Sequence, residues 1–341
     1  MKVAVVGAGL AGISCATALS AHAQVDVFEK SRRAGGRLTG RRYGQYEFDN
    51  GGQYFTARDD TFTGYVQQWI EEQLVQPWQA WVVDLENGRA LSHEDGAVRY
   101  IGQPHMDSFV RQEAELCEVQ YQTQVVRLER VGQQWQIHTI ISAESEAGSE
   151  ATRSAGRRKQ IQGPYNIVIL AIPPIQAAAL MDKRKKLYQK IKDVQLLPCW
   201  SAMIGYDEPQ HTGFDAAFVI DPVLSWVSSN NARNNQLQPE CWVLHGSPEW
   251  SDQHLEAEPQ WVMQQMLQAF QRSLNKKLAK PDFTAIKRWR YSLPLNPLRV
   301  GSLYDADQQL GICGDWCNGS RIEAAFVSGR HMADQILDQL Y

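Results

Sequence analysis

Gly7, Gly9 and Gly12 stand at GxGxxG spacing directly after an apolar run at 3–6, and Glu29 closes a second apolar run at 25–28. Glycines so placed let a chain leave a strand tightly, bring backbone against a pyrophosphate and lay a helix close to its sheet. The helix that follows opens with N–H groups lacking intrahelical acceptors, and its dipole favours an anion there. A carboxylate about 20 residues on is placed to accept hydrogen bonds from a ribose diol. Three glycines alone often mark only a turn. Between a strand and a helix, with Glu29 in register, they read as a dinucleotide site.

Further residues continue this chemistry. Lys30 is followed by Gly35-Gly36-Arg37, a pair that turns the chain tightly and an arginine able to fork onto a phosphate. Arg32, Arg33, Arg41 and Arg42 read as a solvated loop. Residues 49–56, Asp-Asn-Gly-Gly-Gln-Tyr-Phe-Thr, have the glycines and amides of a backbone segment that lies against a flat ring. Far along the chain, Gly314-Asp315-Trp316 follows a short apolar run and precedes a helix-like segment at 322–340. A dinucleotide motif answered by a distant acidic turn points to FAD. Asp315 is then expected to accept from ribityl hydroxyls or to hold the phosphate loop. The helix is expected to begin under the isoalloxazine, where negative charge accumulates on reduction.

These segments, with the 242–245 run Trp-Val-Leu-His and the closing Cys313-Gly314-Asp315-Trp316, Arg321, Glu323 and Ser328-Gly329, resemble the bacterial renalases, a branch of the flavin amine oxidase superfamily. The resemblance runs from end to end. Asn50-Gly51-Gly52 departs from the alanine-containing form of that family, a change between small residues. The resemblance implies an α/β fold: a Rossmann-type FAD-binding domain of the glutathione-reductase-like or p-hydroxybenzoate-hydroxylase-like kind, with an α+β substrate domain on a mixed or antiparallel sheet. It implies non-covalent FAD touched by Gly7, Gly9, Leu10, Ala11 and Gly12, by Glu29, Lys30, Gly36 and Arg37, and by Gly52, Gln53, Tyr54 and Phe55. Val126, Pro173, Gly314, Asp315, Arg321, Glu323 and Ala324 complete the implied contacts. Tyr54, Asn230 and His245 would face a nicotinamide, with Trp289 as a stacking wall, and Arg58 or Arg233 would meet a substrate phosphate or only water. The implied activity is oxidation of the 2- and 6-dihydro isomers of NAD(P)H, with O2 taking the electrons and leaving as H2O2.

The elements that must position these residues alternate between two lobes. The cofactor domain is expected at 1–60, 100–190 and 285–341, and the substrate domain at 61–99 and 191–284. Residues 121–129 and 135–141 read as paired strands joined by a turn. Residues 144–163, with Arg153, Arg157, Arg158 and Lys159, read as an exposed polar loop or tip. The apolar run 167–172 stops at Pro173-Pro174 and no second GxGxxG follows, so a nicotinamide substrate would have to enter the substrate lobe rather than a Rossmann site of its own.

The 341 residues carry 34 basic and 38 acidic side chains, a net charge of −4, which predicts no attraction to nucleic acid or to anionic membranes. No apolar run has bilayer length, and Met1-Lys2-Val3 leads straight into a strand, so a cytoplasmic protein is expected. Cys15, Cys117, Cys199, Cys241, Cys313 and Cys317 have no zinc-like spacing, and no metal is expected. Cys313 and Cys317 stand where some related amine oxidases tether their flavin; free buried thiols are the reading preferred here. The residues set no expectation for oligomeric state or for NAD against NADP.

Other readings stay open. A true amine oxidase would bind a neutral amine between aromatic walls, often with a lysine near the flavin. Lys287 lies near Trp289, but Arg288-Trp289-Arg290 is unlike the usual lysine-bearing loop. A flavin protein whose electrons pass to a protein partner belongs to another class. A desaturase of isoprenoids or porphyrins would want a membrane-facing amphipathic segment, which is not seen.

Overall fold

The computed structural model describes residues 1–142, 158–234 and 239–339. The chain divides into two compact units, Met1–Gly36, Val110–Gln195 and Asn296–Tyr341 forming one, Arg37–Phe109 and Leu196–Leu295 the other. The division differs from the expected one at 37–60, 100–109 and 285–295, which join the second unit, and at 191–195, which join the first. Strand pairing gives the reason. Phe283–Pro294 pairs along Leu196–Tyr206, Tyr100–Gly102 pairs with Val75–Pro77, and Phe48 packs with Met203, Cys241 and Val243.

The first unit is built on a six-stranded sheet in the order Leu303–Asp305, Leu310–Ile312, Ile167–Leu170, Lys2–Val6, Gln24–Phe28, Glu118–Gln120. All neighbours run parallel except the outermost pair, Leu303–Asp305 with Leu310–Ile312. Lys2–Val6 and Ile167–Leu170 are uninterrupted apolar runs after Lys2 because both faces of a central parallel strand are covered. Helix Leu10–Ser20 packs on helix Ile322–Leu337, and Ser14 Oγ donates to the Phe326 carbonyl at 2.9 Å. That crossing demands glycine at 329, where a Cβ would stand 2.2 Å from the Ala11 carbonyl oxygen.

A three-stranded antiparallel sheet, Thr123–Val131, Gln134–Ile141 and Arg158–Tyr165, completes the unit. The expected loop at 144–163 is corrected in part. Arg158 and Lys159 begin a paired strand, polar because it forms the sheet's edge and needs no buried face. The rest of that segment, with Arg153 and Arg157, lies outside the described residues.

The second unit centres on a seven-stranded sheet in the order Phe283–Pro294, Leu196–Tyr206, Glu240–Gly246, Leu224–Ser229, Ala216–Val219, Val82–Glu86, Arg89–Ser92. Only Ala216–Val219 and Val82–Glu86 pair in parallel. Side chains alternate across a strand, so the two faces differ. Trp200, Ala202, Ile204, Trp242 and Leu244 form a core with Val262, Met266 and Phe270 of helix Pro259–Leu274. The alternate positions Ser201, Met203, Val243 and His245 fall on the opposite face.

Candidate functional site

In the first unit the glycine loop takes the form its spacing predicts. Gly7 has φ +107°, its N–H donates to the Phe28 carbonyl at 2.8 Å, and a Cβ there would lie 2.5 Å from the Ala171 carbonyl oxygen. A Cβ at Gly12 would stand 1.9 Å from the Gly7 carbonyl oxygen, so only glycine lets the helix sit this close. Gly9 differs from both. A Cβ at Gly9 would meet no atom of the described residues within 4 Å, so packing among them does not require glycine there, as fits a position kept bare for a ligand. Gly9 is also the helix N-cap, with no side-chain cap and no acidic residue in the first turn, leaving the N–H groups and dipole to an anion.

Glu29 is more occupied than expected. Its Oε2 accepts from Ala8 N–H at 2.9 Å and its Oε1 from Ser31 N–H at 2.8 Å, so the carboxylate first clamps the glycine loop to the next turn. Each oxygen has a second lone pair, and ribose binding stays compatible with that clamp. Gly36, at φ +55°, brings the second glycine pair against the first: Gly35 N–H donates to the Ala8 carbonyl at 2.9 Å. Lys30 is exposed, with Nζ 3.4 Å from Gln176 Oε1. Pro173 is the N-cap of helix Pro174–Ala179, and Val126 is 40% exposed at a bulge of its strand.

The closing turn belongs to the same unit. Gly314 N–H donates to Ser328 Oγ at 2.9 Å, and Trp316 Nε1 donates to the Ile172 carbonyl at 3.2 Å, tying the Gly-Asp-Trp turn to the end of a central strand. Asp315 is buried in the first turn of helix Asp315–Asn318, and Ala324 is buried near Gly319. Helix Ile322–Leu337 has Arg321 at its N-cap without a side-chain cap, and Glu323 in its first turn. The six cysteines are free, and burial pushes the Cys317 thiol well up, as in an inert core thiol. Residues of this unit therefore fit the phosphate and ribose groups of a dinucleotide such as FAD.

In the second unit the 49–54 segment ties the predicted side chains together. Trp289 Nε1 donates to the Asn50 carbonyl at 3.0 Å, and Asn230 Oδ1 accepts from Asp49 N–H at 3.2 Å. Asn230 thus holds the loop in shape, a task not foreseen for it. Gln53 Nε2 donates to the Asp49 carbonyl and, at 3.0 Å, to that of Gly51. A Cβ at Gly51 would sit 1.9 Å from the Arg37 carbonyl oxygen, and Gly52 N–H donates to that same oxygen at 2.9 Å. Arg37 itself donates to the Ser292 carbonyl at 2.7 Å. Phe55 is a core anchor, with its ring against Phe62, Tyr100 and Phe109.

Arg233 needs correction. Expected to meet substrate phosphate or water, it is sealed inside the unit, 3.5 Å from Asp49 with both side chains 2% exposed, and it donates to the Gln53 carbonyl. Removing either ion would leave the other buried and unpaired, at a cost of about 3–5 kcal/mol. The ring of Tyr54 lies 6.0 Å from Trp78 and 5.4 Å from Trp226. Two cations cover this aromatic group: Arg99 stands 5.3 Å over Tyr54 and Arg233 5.5 Å over Trp78.

Burial pushes the His245 imidazole down to about 4, opposed by a hydrogen bond to the Asn50 backbone and reinforced by the Arg233 charge. The ring is therefore neutral at pH 7. Its Nε2 is sealed with no partner among the described residues, so the proton shared with the Asn50 carbonyl resides on Nδ1 and Nε2 keeps its lone pair. Sequence reasoning missed Ser201 and Trp226, whose only signal was their alternation within strands Leu196–Tyr206 and Leu224–Ser229, and Trp78, which follows strand Val75–Pro77.

Among the described residues no helix is long and apolar enough to cross a membrane, and no group of three or more His, Cys, Asp or Glu could hold a metal. The family profile of NAD(P)-binding Rossmann-like domains matches residues 5–69. Over whole chains the structure is similar to a candidate protoporphyrinogen oxidase from Exiguobacterium sp. 255-15, at 13% identity, 99% coverage of both chains and TM-score 0.73. It is similar to putrescine oxidase in complex with putrescine, at 15% identity, 99% coverage of both chains and TM-score 0.72. An oxidoreductase from Methanosarcina mazei matches at 13% identity and TM-score 0.68, covering 99% of this chain and 100% of that one. At such identities the likeness establishes the fold alone: a Rossmann-like unit, with parallel and antiparallel sheets, in an architecture shared with these proteins.

Proposed function

We propose that the protein is an FAD-dependent oxidase acting on misreduced dihydronicotinamide dinucleotides, the 2- and 6-dihydro isomers of NAD(P)H. One hydride leaves the dihydropyridine ring, and with a proton and O2 the products are NAD(P)+ and H2O2. FAD, when bound, supplies the ring that accepts the hydride and then reduces O2. The chain supplies binding and electrostatics. Gly7, Gly9 and Gly12 with the Leu10–Ser20 helix start receive phosphate, and Glu29 receives ribose. The uncapped start of helix Ile322–Leu337 favours negative charge on the flavin. Tyr54 and His245 orient the nicotinamide, and neutral His245 forms hydrogen bonds without moving a proton.

One observation carries the choice of substrate. The aromatic group at Tyr54, Trp78 and Trp226 has its cation positions filled by Arg99 and Arg233, and the imidazole beside it is neutral. Such a face suits a flat uncharged ring better than an ammonium, because a guanidinium already occupies the cation position on Tyr54 and on Trp78. Anaerobic mixing of the flavin-loaded protein with 6-dihydroNAD should bleach the flavin band. Faster bleaching by any of a panel of amines would reject the assignment in favour of an amine oxidase.

A further inference from the structure

Three adjacent strands of the second unit place Ser201, His245 and Trp226 in one row. Ser201 and His245 are register partners, as are His245 and Trp226, so their side chains share one sheet face with backbones about 5 Å apart. Each of the three carries a buried polar atom, Ser201 Oγ, His245 Nε2 and Trp226 Nε1, with no hydrogen-bond partner among the described residues. Unpaired buried polar atoms are costly and uncommon. Three side by side on one face mark a place shaped for a polar ligand group.

We propose that this row reads an uncharged primary carboxamide on the substrate and rejects the matching carboxylate. The inference rests on the dinucleotide reading above and adds to it a specificity. His245 Nε2 presents a lone pair, Trp226 Nε1 only donates, and the Ser201 hydroxyl does either. A carboxamide matches that set: its NH2 donates to Nε2 and its carbonyl accepts from the indole or the hydroxyl. A carboxylate has no proton to offer, so it sets lone pair against lone pair at Nε2 and brings a desolvated charge. Arg233 does not rescue it, because that guanidinium is already neutralised by Asp49. Lys287, the register partner of Ser201 on the next strand, holds its ammonium 5.2 Å over the Trp289 ring.

The test compares two ligands that differ in one group. Flavin-loaded protein is titrated at neutral pH with NAD+ and with nicotinic acid adenine dinucleotide, following perturbation of the visible flavin band. The acid should bind at least about 100-fold more weakly. Trp226→Phe and Ser201→Ala should each weaken the amide about tenfold and leave the acid unchanged. Equal affinities, tighter binding of the acid, or amide affinity untouched in both variants would overturn the carboxamide row while leaving the dinucleotide reading standing. Binding of neither ligand, with no bleaching by 6-dihydroNAD, would overturn both.

Discussion

The glycine loop of the first unit and the sheet face of the second are built by opposite means. The loop is made of main chain: Gly7, Gly12 and Gly36 are held by contacts with other backbone, and Glu29 serves by gripping two N–H groups. The sheet face is made of side chains from strands far apart in sequence, held by register and by the 49–54 segment. A backbone cradle tolerates almost no added atom but asks little of its neighbours' identity. A side-chain face tolerates changes of volume but depends on each donor and acceptor. The first kind of site suits a group shared by many ligands, such as a pyrophosphate; the second suits discrimination among them.

That contrast can be broken at both ends. Gly12→Ala is expected to cost more than about 4 kcal/mol, because its Cβ would strike backbone rather than a side chain that could turn away. A collapsed thermal midpoint would agree, and a variant as stable as the parent would refute the backbone account. Next in size is the effect of His245. Its imidazole is held at about 4 in the folded chain against an ordinary 6.5, so the unfolded chain binds the extra proton as pH falls. Stability is then level above pH 6.5 and falls by up to about 3 kcal/mol between pH 6.5 and 4. In His245→Gln that part of the slope should vanish from urea unfolding measured across the window. Smallest is Trp289→Phe, which deletes one hydrogen bond to the Asn50 carbonyl and should cost about 1 kcal/mol in the same assay. A much larger loss would mean that the 49–54 segment hangs chiefly from this indole.

What was legible beforehand follows the same divide. The strand, glycine loop and helix of the first unit lie within consecutive residues, so spacing alone carried their geometry, and Glu29 was found although its double duty was not. The long-range tie at Arg233 escaped because it depends on a pairing with the Gln53 region 180 residues away. Asn230 and His245 came forward through resemblance. The structure assigns them different work, since Asn230 Oδ1 is engaged with Asp49 while His245 Nε2 has no partner among the described residues. Ser201 and Trp226 were invisible as polar groups, because nothing in a mostly apolar strand tells which face each residue takes until its neighbours are fixed. Residues 158–163 were misread for a related reason: an edge strand needs no apolar pattern.

The contact of Ser14 with Phe326 joins residues 312 positions apart, and the helix crossing at Gly329 lies beside it. During synthesis, the side of Leu10–Ser20 that faces Ile322–Leu337 therefore waits uncovered until Phe326, 312 positions beyond Ser14, has left the ribosome. So long a closure is slow and leaves the nascent chain open to aggregation or chaperone capture. Cellular yield of this protein should respond to holdase supply more sharply than its equilibrium stability alone would lead one to expect.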